Sequence, residues 1–144
     1  MLKTQVPAKA AILGYSGVIP FAAAVAMVAF GDDSLGQMAL EGFLVYAAVI
    51  LSFLGGIRWG AASISDQEPG LQLIFAVLPS LWAAFFVWWF PAVTAIYGLM
   101  TGFIIMGFAD SLYPAPRVAA WMAPLRLRLT VGVVACHLVI LSVI

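Results

Sequence analysis

The chain has 144 residues, 65% of them hydrophobic and 8% charged, with six Lys plus Arg balancing six Asp plus Glu. So apolar a chain of this size cannot bury its own surface in water, so lipid must cover part of it. Balanced charge excludes the basic surface of a nucleic-acid binder, and the lone cysteine, Cys136, excludes an internal disulfide framework and any CxxC site.

About twenty apolar residues cross the hydrocarbon core at roughly 1.5 Å per residue. The first such run covers about residues 10–30 and stops at Gly31-Asp32-Asp33. Lys3 and Lys9 ahead of it resemble a signal-peptide n-region. The run is too long for an h-region, however, so it reads as a retained helix. The second span covers about 37–57 and stops at Arg58. A polar loop over 63–68 then leads to Pro69, which suits a first helical position because its missing N–H has no helical partner there. The third span covers about 70–90 and ends at Pro91, and the fourth covers about 92–109 and ends at Asp110. An elbow punctuated by Pro114, Pro116 and Pro124, with Trp121 and Met122 suited to the interface, precedes the fifth span, about 127–144.

The expected architecture is therefore an all-α transmembrane bundle of five helices in a single domain over 1–144. With the N-terminus inside, Lys3, Lys9, Arg58, Arg117, Arg126 and Arg128 all fall on the cytoplasmic side, and the outer loops hold no Lys or Arg. That asymmetry predicts an N-in, C-out topology. Trp88 and Trp89 then lie at the outer interface, and Trp59 and Trp121 at the inner one. Val18-Ile19-Pro20-Phe21 and Val77-Leu78-Pro79-Ser80 occupy similar places in the first and third spans. This hints at two parallel hairpins plus a fifth helix, and each proline predicts a kink.

Small residues four apart let membrane helices approach closely, and the sequence offers Ser52, Gly56 and Gly60 in one span and Gly98 and Gly102 in another. The inner ends gather Arg58, Asp110, Arg126 and Arg128. An Arg58–Asp110 pair would clasp the second span to the fourth, because a guanidinium can hold a carboxylate at two points. Arg126 and Arg128 could serve a headgroup or anionic ligand, or simply set topology. Deeper in the membrane, Glu41 and His137 are ionisable groups in the outer half, where they could meet and relay a proton. The alternative leaves Glu41 at the interface and His137 bonded to a backbone carbonyl. One His and no acidic or CxxC cluster argue against a metal or haem site. Asp32-Asp33 reads as a solvated outer turn. Nucleotide-binding, metalloprotease and hydrolase motifs are absent, so the chain reads as a non-enzyme without a cofactor.

The run Ser52-Phe53-Leu54-Gly55-Gly56-Ile57-Arg58-Trp59-Gly60 resembles the signature of the bacterial domain-of-unknown-function family 3429, a family similar in turn to mitochondrial transmembrane protein 69. The likeness extends to Gly17-Val18-Ile19-Pro20-Phe21, to Leu78-Pro79-Ser80-Leu81, to Asp110 and to the run from Leu125 through Thr130. In that family the second-span arginine is often His, so Arg58 keeps a basic group while arguing against a metal ligand there. The resemblance implies a small polytopic protein of the bacterial inner membrane and directs attention to Arg58, Trp59, Asp110, Arg126, Arg128 and Thr130.

Three functional expectations follow. The first is an accessory or assembly subunit of a larger, bioenergetic or other, membrane complex, motivated by the lack of soluble domains and catalytic motifs. The second is a small proton-coupled transporter using Glu41, His137 and the proline-broken helices. The third is a lipid or quinone binder, which requires a groove beside the inner arginines. The expected surroundings are the lipid bilayer and other membrane subunits.

Overall fold

The computed structural model describes residues 5–64, 70–113 and 118–144. Lys3, the loop 65–68, Pro69, Pro114, Pro116 and Arg117 lie outside these residues. Six helical segments make up the described chain: α1 (Ala8–Ser16), α2 (Ile19–Phe30), α3 (Asp33–Ser63), α4 (Gly70–Trp89), α5 (Ala92–Leu112) and α6 (Met122–Val143). They form five helices long and apolar enough to cross a membrane, α1 and α2 together making the first.

Pro20 explains the division of that first span. It lacks the N–H that would bond to the carbonyl of Ser16, and the helix tightens just before it. Gly17 donates to the carbonyls of Leu13 and Gly14, and Val18 donates to Tyr15 at 3.0 Å, before α2 restarts with Pro20 in its first turn. The Tyr46 hydroxyl on α3 donates to the Gly17 carbonyl at 2.9 Å, satisfying backbone at the break from a neighbouring helix. Pro79, by contrast, sits inside an uninterrupted α4. Its ring is buried against α3, beside Gly55, and the next residue is held by a 2.8 Å hydrogen bond between the Ser80 and Ser52 hydroxyls. The expected equivalence of the two prolines therefore ends in different local structures.

Both ends of α3 and the start of α6 also differ from expectation. Helix α3 starts at Asp33, because the Asp32 carboxylate accepts the Leu35 N–H at 2.8 Å and caps the helix. It then runs past Arg58 to Ser63. Helix α6 begins at Met122, so Pro124 falls in the first turn, where the missing N–H breaks no helical bond.

Helices α2, α3, α5 and α6 form a closed ring of neighbours, and α4 packs from outside onto α3 and α5. The pairs α2–α3 and α4–α5 make the two expected hairpins, and α6 closes the ring between α5 and α2. Along α3 the buried residues Ala39, Phe43, Ala47, Leu51 and Gly55 form one stripe at intervals of four. At its centre lies Phe21, fully buried and in edge-to-face contact with Phe43 and Phe103.

The small-residue stripes divide. On α5, Gly98 and Gly102 are buried, and a Cβ on Gly98 would enter the Phe86 ring. The Trp82 indole donates to the Gly98 carbonyl at 2.8 Å across the same contact. On α3, Gly56 and Gly60 face open space, and it is Gly55 that meets the α4 backbone, near Ala76. Of the expected stripe, Ser52 does meet α4 through Ser80, while the glycine contact falls at Gly55, one residue from Gly56 and on a neighbouring face of α3.

Candidate functional site

One end of the bundle carries an ionic cluster built from three helices. Asp110, in the last turn of α5, is 6% exposed. Its Oδ1 accepts the Arg58 Nε–H from α3 at 2.7 Å, and its Oδ2 accepts Nη1–H of Arg126 from the first turns of α6. Arg58 Nη2 also donates to the Tyr113 carbonyl at 2.9 Å, just beyond α5. The cluster therefore holds two guanidiniums and one carboxylate. Arg126 Nη2 is buried without a hydrogen-bond partner among the described residues. Such a cluster is stable only while the carboxylate is present, because either arginine alone at this depth carries a large desolvation cost.

Of the other expected inner-face residues, Thr130 packs over Gly107 of α5, where a Cβ would collide with it. Arg128 is exposed, two residues from Arg126 and on another face of α6. The Trp59 side chain is 46% exposed, and the residue following Arg58 lies about 100° further round the helix. So the structure brings together Arg58, Asp110 and Arg126, with Thr130 one turn further along α6. Trp59 and Arg128 take no part in the described hydrogen bonds of the cluster.

Of the two readings of Glu41 and His137, the structure matches the one that bonds His137 to a backbone carbonyl and keeps Glu41 apart from it. Glu41 is exposed on α3, while His137 is fully buried among Phe21, Phe43 and Phe103. His137 Nδ1 pairs with the Val133 carbonyl at 2.8 Å, and Nε2 has no partner among the described residues. The two lie on different sides of the α3 wall: the stripe containing Phe43 faces inward, and Glu41, two residues earlier, faces out. No relay connects them among the described residues. Nor does any group of three His, Cys, Asp or Glu side chains come together there.

Beside the cluster runs a feature that sequence reading missed. A groove of about 830 Å³ lies between α4 and α5, walled by Phe75, Leu78, Trp82 and Phe85 on one side and by Ile105 and Met106 on the other. Arg58 and Tyr113 close its polar end. Phe75, Leu78, Trp82 and Phe85 are spaced three, four and three apart, which places them on one helix face. In a helix apolar all round this spacing has no polar face to stand out against. A lipid or quinone site was expected beside Arg126 and Arg128; the groove adjoins Arg58 instead.

The family model described as "Protein of unknown function (DUF3429)" matches residues 6–142. The chain belongs to this family. It is also 32% identical over 133 residues to a protein named Transmembrane protein 69 from Xenopus tropicalis, covering 87% of this chain and 50% of that protein. The DUF3429 chain thus spans about half the length of that relative. No solved structure matches it.

Proposed function

We propose that this protein binds a membrane-resident amphiphile, a lipid or quinone, in the lateral groove between α4 and α5. One observation carries the reading: the groove has apolar walls along its length and an arginine, fixed by a buried carboxylate, at one end. That pattern matches a ligand with a long apolar tail and a polar head. Polar groups near the end of the groove orient the ligand, and the apolar walls supply contact area. The reading assigns no reaction and no cofactor. Lys9, Arg58, Arg126 and Arg128 share one end of the bundle, which supports an N-in orientation in a bacterial inner membrane.

A photoreactive amino acid at Ile105, on the groove wall, tests this in native membranes. Enrichment of one lipid or quinone class at Ile105, over the bulk-lipid mixture captured at the lipid-facing control position Phe30, is the expected result. Loss of that difference between the two positions overturns it.

The accessory-subunit reading has one supporting observation. A shallow hollow on the outer face of α3 and α4, lined by Val45, Ala48, Val49, Ala83 and Ala84, offers small and β-branched residues to which a helix of another subunit could fit. The same photoreactive residue at Val49 separates it, because a polypeptide adduct of defined mass identifies a partner.

A further inference from the structure

We infer that the polar end of the α4/α5 groove selects an anionic, phosphate-class headgroup through Arg58, with Arg126 behind it. This rests on the amphiphile reading above and specifies the ligand's head. Both Asp110 oxygens are already engaged, one by each arginine, so the three side chains together carry one uncompensated positive charge. The remaining described acids do not supply the missing anion: Asp32, Asp33 and Glu41 are all exposed, and they belong to the opposite end or half of α3.

An excess cation at low dielectric draws a counter-charge. Arg58 is the member of the cluster that lines the groove. Of the five guanidinium N–H groups, only those directed at Asp110 and Tyr113 are engaged among the described residues. A phosphate oxygen is a strong acceptor for such donors, and Arg matches it geometrically. A neutral quinone head would accept a hydrogen bond but leave the charge unbalanced. A free phosphate would balance the charge but leave the apolar walls, Phe75 through Phe85, without an occupant. A phospholipid with net negative charge satisfies both ends of the groove.

Native mass spectrometry of the protein in mild detergent, with equimolar dioleoyl phosphatidylglycerol, dioleoyl phosphatidylcholine and decyl-benzoquinone, tests the inference. Phosphatidylglycerol should be retained about fivefold over phosphatidylcholine, the size expected for one lipid charge beside one arginine. Arg58→Gln should bring that ratio to about one, and Arg58→Lys should keep most of it. Ile105→Trp, which fills the groove and leaves the charges in place, should reduce retention of both lipids. Equal retention of the two lipids, or a preference for the quinone, overturns charge selection while leaving the amphiphile reading intact, provided Ile105→Trp still releases the ligand. Retention unaffected by Ile105→Trp overturns the amphiphile reading itself. Displacement of phosphatidylglycerol by excess inorganic phosphate makes the site one for a free anion and overturns the headgroup assignment. Should Arg58→Gln fail to fold, the retention ratio of the unsubstituted protein decides the question alone.

Discussion

Arg58 and Asp110, 52 residues apart in sequence, meet at 2.7 Å and join the α3 helix to α5 at a single end of the bundle. Arg126 takes the second carboxylate oxygen, so one acidic side chain holds three helices together. The geometry makes Asp110 the dependent point of the cluster, since no other described acid is in reach of either guanidinium.

Asp110→Asn should therefore be the most damaging single change at this end. It leaves two half-buried guanidiniums facing a neutral amide, at a cost of about 1–3 kcal/mol. Unfolding measured in bilayers or bicelles checks this. A double-mutant cycle with Arg58→Gln should show a coupling of about 1–3 kcal/mol. Full additivity of the two changes would remove the pair from the list of interactions holding the fold.

Two glycines should respond in opposite ways. Gly98→Ala places a methyl in the Phe86 ring and disturbs the Trp82 bond to the Gly98 carbonyl, so it should cost about 1–3 kcal/mol. Gly56→Ala meets nothing within 4 Å and should stay within about 0.5 kcal/mol of the unsubstituted protein. Side-by-side thermal denaturation in one detergent reads both. A larger loss at Gly56 would place the α3 contact where sequence alone put it.

The contrast shows what the sequence made legible. Five spans could be read because runs of about twenty apolar residues have few other uses. The Arg58–Asp110 pair could be read because charges in such runs are few, and the alternation of spans puts these two at equal depth. The groove could not be read, because every face of α4 is apolar and the face that lines it looks like the rest. Nor could the side of α3 that packs: Gly55 and Gly56 are adjacent and chemically identical, and only the partner helix distinguishes them. Whether Glu41 and His137 face each other could not be read either, since a step of two residues along a helix turns a side chain from interior to lipid.

Tyr46→Phe tests the break between α1 and α2. Removing the hydroxyl frees the Gly17 carbonyl at a point where Pro20 already removes one helical bond. The expected loss is about 0.5–2 kcal/mol, within the range for single hydrogen bonds between membrane helices. Amide hydrogen exchange should rise at Val18 and Phe21 more than in α5. A uniform rise across the bundle would indicate global rather than local loosening.

His137→Leu should preserve the fold within about 1 kcal/mol. The imidazole Nε2 has no partner among the described residues, its Nδ1 bonds a carbonyl of its own helix, and the rings of Phe21, Phe43 and Phe103 surround it. Glu41→Gln, on an exposed face, should also be nearly silent. Denaturation and expression level check both. Loss of proton flux in liposomes on either change would revive a relay, routed through something other than the direct pair.

The order of synthesis gives the ionic cluster a further meaning. Arg58 is made before Asp110, and Arg126 sixteen residues after it. When α3 first enters the bilayer, its guanidinium has no carboxylate to meet and must reach toward lipid headgroups at the surface. It can turn inward only after α5 is in place, and Asp110 gains its second arginine only when α6 follows. The cluster is thus a latch that closes late. A chain truncated before α5 should leave Arg58 open to water-soluble arginine reagents, while the full chain should protect it.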